Sequence, residues 1–200
     1  MDIMKIVNQA KDLIFNPQGT MKKLKDEKVE LKDIIFYLAV VAFPLLLGNL
    51  LGYGIIWGGG SYIGWGFAIA IISYIGAIIG VVIFGFILNM LAPSFKTKQN
   101  QMQAFKLVSY AATPWLLLGI INIFPAAGII AFLGLLYGLY ILYLGIPILM
   151  ETPKEQQMIF FIIGLVVYII VGGLISFITG WIWTSLFWSS FYTPGWGYPY

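Results

Sequence analysis

Apolar and polar positions separate along this chain into long blocks. From Ile34 to Phe95, from Leu107 to Met150 and from Gln156 to Tyr200 no residue is charged, and Ile, Leu, Val, Phe, Gly and aromatics dominate. A helix needs about 20 apolar residues to cross the hydrocarbon of a bilayer. The first two blocks are long enough for two crossings each and the third for one. The expected spans are Ile34–Ile56, Phe67–Leu91, Leu107–Phe124, Ala126–Met150 and Met158–Gly180. Backbone groups in lipid must be satisfied within their own segment, which makes these runs helices. A β-barrel would instead read as short stretches alternating apolar and polar residues. The fold class is therefore all-α, a polytopic membrane protein with a bundle of five transmembrane helices (residues 34–180). An N-terminal cytoplasmic arm (residues 1–33) precedes it and an external aromatic tail (residues 181–200) follows.

The arm has a different rhythm. Ile3, Ile6, Val7, Ala10, Leu13 and Ile14 recur at spacings of three and four, the signature of an amphipathic helix. Lys5, Asn8, Gln9, Lys11 and Asp12 make up its polar side. Asn16-Pro17 ends it, because the residue before a proline is pushed out of helical geometry. A second, polar helix is expected from Thr20 to Asp33, laced by Lys22–Asp26 and Lys23–Glu27 pairs. The apolar stripe of the first helix is a candidate face for a cytoplasmic protein partner or the membrane surface, although a helix that only packs against the bundle has the same pattern.

Charge adds an orientation. All eleven basic residues are lysines. They fall before the first span, at the connection between the second and third spans (Lys96, Lys98 and Lys106, the one clearly basic loop), and at Lys154 between the fourth and fifth. Positive loops stay on the cytoplasmic side. This predicts an integral membrane protein, in the plasma membrane if the host is prokaryotic, with its N-terminus in the cytoplasm and its C-terminus external. The first span is the expected insertion signal, since no apolar run begins early enough for a cleavable one. Without arginine there is no bidentate phosphate recognition, and a net charge of +3 spread over the arm and loops points to no nucleic acid.

The missing residue types narrow the function. There is no His or Cys, and no acidic residue lies within an expected span. Paired intramembrane aspartates, a zinc-binding His-Glu motif and a serine with a base cannot be assembled. Nor is there an intramembrane ionisable residue for proton coupling. The expectation is a non-enzymatic protein with no catalytic residues, metal or cofactor. Small residues at four-residue spacing (Gly48/Gly52, Gly76/Gly80, Gly134/Gly138, Ser176/Gly180) suit close helix packing within the chain or in a homo-oligomer. Pro44, Pro114 and Pro147 should kink their spans. With Asn49, Thr113 and other polar span residues, they leave open a channel or transporter for a small neutral or lipid-like solute.

The local sequences also carry a resemblance. LIFNPQGTMKKLKDE (residues 13–27, with Pro17), KLVSYAATPW (106–115, with Tyr110 and Pro114) and YLGIPILMETPKEQ (143–156, with Pro147 and Pro153) follow one another in this order. Together they resemble the Yip (Ypt/Rab-interacting protein) domain family, particularly its short prokaryotic members. The Asp-Leu-Tyr-Gly-Pro motif of eukaryotic members is absent. The resemblance implies a non-enzymatic scaffold or adaptor in membrane organisation, trafficking or partner recruitment, or an accessory subunit of a larger membrane complex. It carries over no catalytic residue.

Overall fold

The computed structural model describes residues 2–56, 63–124 and 128–191, with side chains as far as residue 185. Helices α1 (Ile3–Phe15) and α2 (Pro17–Lys25) build the arm. They are followed by α3 (Leu31–Asn49), α4 (Ile63–Leu91), α5 (Gln101–Leu118), α6 (Gly128–Leu149) and α7 (Lys154–Phe191). Among the described residues, five helices are long and apolar enough to cross a membrane and no strand occurs. Residues 57–62 and 125 of the expected uncharged connections, residues 126–127 at the start of the expected fourth span, and residues 192–200 of the expected aromatic tail lie outside the described residues.

The helix ends differ from the hydropathy edges for local reasons. α3 runs on as a π-helical turn, Leu50–Ile56. α5 begins at Gln101, ahead of the expected Leu107, because the Asn100 side chain accepts from the Met102 and Gln103 amides at 3.1 and 3.2 Å. The helical run after α4 stops at Lys96 and the one after α6 at Glu151, both at positive φ (52° and 54°), a backbone turn that closes helix C-termini. α7 passes the expected limit at Gly180 and continues to Phe191. Its 38 residues measure about 57 Å at ~1.5 Å per residue, so the helix projects beyond a hydrocarbon layer ~30 Å thick.

α5 is the axis of the bundle. Two-thirds of its spanning window (67%) is buried in protein, against 17% for α4 and for α7. The outer helices turn Ile75, Ile79, Ile83 and Phe86 of α4, and Ile162, Val166, Ile169 and Phe177 of α7, towards lipid. Pro44, Pro114 and Pro147 lie within α3, α5 and α6, as the sequence predicts. The small-residue pairs are largely spent inside the chain. Gly48 and Gly52 pack against the backbone of Gly119 and Asn122, Gly134 and Gly138 against α5, and Gly76 against Thr179 of α7.

The expected second polar helix is shorter than its sequence suggests. α2 ends at Lys25, not Asp33, and Glu27 pairs with Lys5 of α1 in place of Lys23. The helix stops there because its last carbonyls are claimed by side chains of α5.

Candidate functional site: the docked arm and the two charged loops

Asn16 and Pro17 turn the arm back on itself. Pro17 is at the first position of α2, where a missing amide costs nothing, and the Asn16 side chain accepts from the Gly19 amide at 3.0 Å. The Lys5–Glu27 pair closes the open end, so α1 and α2 form an antiparallel helical hairpin.

Three polar anchors fix this hairpin to the bundle. The first is Lys106, expected in the basic loop with Lys96 and Lys98 but found in α5 and only 2% exposed. Its ammonium donates to the carbonyls of Leu24 (2.8 Å), Lys25 (3.2 Å) and Glu27 (2.5 Å). Gln103 Nε2 donates to the Lys25 carbonyl as well, at 2.7 Å. Leu24 and Lys25 end α2 and Glu27 lies just past it, so a cation there also meets the negative end of the helix dipole.

The second anchor is Gln9 Nε2, which donates to the Tyr110 hydroxyl at 2.8 Å. The Tyr110 ring stands edge-on to Tyr37 of α3, centroids 5.4 Å apart. Tyr37 shares a 2.7 Å hydrogen bond with Thr113, whose hydroxyl also reaches the Ser109 carbonyl at 3.0 Å. Pro114 has no amide to bond the Tyr110 carbonyl, so the tyrosine-to-proline spacing marks the place where α5 opens beneath the arm.

The third anchor is deeper. Tyr137 of α6 donates to the Ile14 carbonyl at 2.6 Å. It lies about 18 Å along α6 from Leu149, at ~1.5 Å per residue. The hairpin therefore runs down the side of the bundle rather than lying across its end.

This docking sorts the expected partner face. Ile6, Ala10 and Leu13 are buried and Ile14 is partly so, whereas Ile3 and Val7 are exposed, together with Met4 and Phe15. Gln9, expected on the polar side, is buried between Ile6 and Leu13. Its spacing from those residues was the available signal, and its polarity hid it. Nothing in the local sequence marked Tyr37, Thr113 or Tyr137 as parts of the dock.

The two charged loops are joined to each other and to the arm. Thr97 donates to Thr152 at 3.0 Å, and both threonines are buried. Glu151 bridges Lys25 of the arm (2.9 Å) and Lys98 of the other loop (3.4 Å). Pro153 is exposed in the turn before α7, and Lys96 is exposed at the end of its own turn. The Lys25 hydrogen bond and charge, followed by the charge of Lys98, hold the Glu151 carboxyl below its ordinary range. A depressed carboxylate stabilises the fold above its unfolded pKa, and the contribution is lost as pH falls through the folded value. The bridge is exposed, so the expected effect is local. Spin labels at Lys28 and Gln99 should keep one narrow distance distribution from pH 8 to about 5 and broaden below about 4. Glu151→Gln should remove that pH dependence, and an unchanged acid response in this variant would refute the assignment.

These features define a polytopic helical membrane protein in which an N-terminal hairpin runs down the side of the bundle and is joined at its open end to the two charged loops. The model of the Yip1 domain matches residues 11–177. The chain belongs to the Yip1 domain family, as the order of its motifs implied. It is also similar to the inner membrane protein YohC of Escherichia coli, in strain K12 and in an O6:H1 strain. The identity is 30% over 98 residues, 48% of this chain and 50% of the relative, so the match spans about half the length of these proteins. No solved structure matches the chain.

Proposed function

We propose that the protein is a non-enzymatic scaffold or adaptor that recruits a partner through its charged end, with that end in the cytoplasm and the C-terminus outside. The carrying observation is the rigid joint surface of hairpin and loops. Hydrogen bonds and ion pairs link five separate stretches of chain there, while Ile3, Met4 and Val7, and also Lys11, Lys22 and Lys23, stay exposed on the hairpin. A fixed surface offering both apolar area and charge suits selective recognition. The lysine distribution supports the orientation, and the inner-membrane relative supports a plasma-membrane location in a prokaryotic host. A solute-conducting role has less support, because Thr113 is buried and bonded to Tyr37 and the Ser109 carbonyl, although Asn49 lines a cavity.

The exposed residues give the discriminating test. A photoreactive side chain at Val7 should capture a cytoplasmic protein in native membranes, and Ile3→Asp with Met4→Asp should abolish that capture while leaving the melting temperature unchanged. Capture of lipid alone, or of the same partner by the doubly substituted protein, would remove the site.

A further inference from the structure

The half of the bundle remote from the arm encloses a cavity of about 640 Å³ between α3, α4, α5 and α7. That size is within the ~300–1,000 Å³ typical of ligand-holding cavities. Its walls change character in one direction. On α7, Tyr168 and Val171 come before Ser176 and Thr179, and on α3 Leu45 comes before Asn49. Trp115 of α5 similarly comes before Asn122 in the turn that follows it. These three elements run away from the arm. α4 runs back towards it, and its order is reversed, with Ser73 ahead of Val81 and Phe84. All four therefore contribute hydroxyls or amides to the remote half, where Ile69 and Trp183 also line the wall, and apolar side chains towards the middle of the bundle.

The polar end holds hydrogen-bonding capacity that the protein does not use. Asn122 Nδ2 donates to Asn49 Oδ1 at 2.8 Å. Among the described residues the Asn49 amide hydrogens and the Asn122 oxygen make no other side-chain bond, although Asn49 is only 4% exposed. The Ser73 and Ser176 hydroxyls likewise donate to no described residue, and the Trp115 indole nitrogen is buried without a partner. Polar groups at membrane depth are costly when left unsatisfied. Gly172 and Ser176 line the cavity and are also exposed on α7, so the mouth opens sideways towards lipid.

We propose that this cavity binds an uncharged lipid with a hydroxyl-bearing head, drawn from the leaflet opposite the arm. The head lies against the Asn49–Asn122 pair and the two serines, and the chain extends between Val81, Phe84 and Val171. Among the described residues no charged side chain lines the cavity. A phosphate or ammonium head would be buried there without a counter-charge, which disfavours it strongly.

Photolabelling of the full chain in phosphatidylcholine vesicles, with a diazirine-bearing monoacylglycerol as probe, tests the assignment. Label is expected on α4 and α7 near Ala77 and Val171, competed by unlabelled monoacylglycerol and not by phosphatidylglycerol. Gly172→Phe fills space in which an added Cβ meets nothing within 4 Å, and it should lower labelling at least tenfold. The pair Asn49→Leu and Asn122→Leu removes both members of the amide pair together and should do the same. Monoacylglycerol should raise the melting temperature of the unsubstituted protein and leave that of Gly172→Phe unmoved. Labelling that survives both changes, or equal competition by phosphatidylglycerol in the unsubstituted protein, would overturn the proposal.

Discussion

Lys106→Met is expected to release the arm from the bundle. The methionine matches the length and apolar stem of the lysine but cannot donate to the carbonyls of Leu24, Lys25 and Glu27. Hydrogen bonds to a charged donor are worth more than neutral ones, and the Glu27 carbonyl, unlike those of Leu24 and Lys25, has no second donor among the described residues. Allowing for water reaching some of the freed groups, the loss is about 3 kcal/mol. That is a large share of what a hairpin of two short helices can contribute. The measurement is hydrogen exchange of residues 3–25, which should lose protection while α4 and α7 retain theirs. Arginine should rescue only in part, since a planar guanidinium cannot converge on three carbonyls as an ammonium can. Undiminished protection of α1 in Lys106→Met would show that Gln9, Tyr137 and the buried apolar stripe hold the arm unaided.

The second large effect is expected at the opposite end, from Gly48→Ala. A Cβ at Gly48 would lie 2.1 Å from the Gly119 carbonyl oxygen and 2.9 Å from the Ile120 Cα. Both are backbone atoms, so no side-chain rotation relieves the overlap and α3 must move away from the turn after α5. Overpacking of this kind costs about 3 kcal/mol. The same movement would part Asn49 from Asn122. Gly173→Ala is the matched control, because its Cβ meets nothing within 4 Å. Thermal unfolding in detergent should separate the two clearly, and equal melting temperatures would refute the close approach.

The five spans were legible because hydropathy over some twenty residues is a direct physical requirement for crossing lipid. Their ends were less so, since an end depends on capping. Gln101, Gln103 and Lys106 read as loop residues, yet they extend α5 because Asn89, the end of α2 and Asn100 satisfy polar groups at its start. The arm was legible as an amphipathic helix from Ile6, Ala10 and Leu13. Which way its stripe faced was not, because burial against α5 and exposure to a partner require the same spacing. Lys106 looked like one more topological lysine, and its partners are backbone carbonyls distant in sequence, which no residue type announces. Asn49 and Asn122 stood out as polar residues in apolar runs, but their pairing depends on two glycines that bring α3 against the turn after α5.

The order in which the docked hairpin and its dock are made has a consequence for biosynthesis. The arm is translated before Lys106, Tyr110 and Tyr137, which anchor it and which follow the first two spans in the chain. Until then Ile6, Ala10 and Leu13 can pack only against α2 and α3. A chain stalled before α5 would present that stripe to chaperones and proteases, and a finished chain would withdraw it. Docking of the arm thus marks the arrival of α5 and α6.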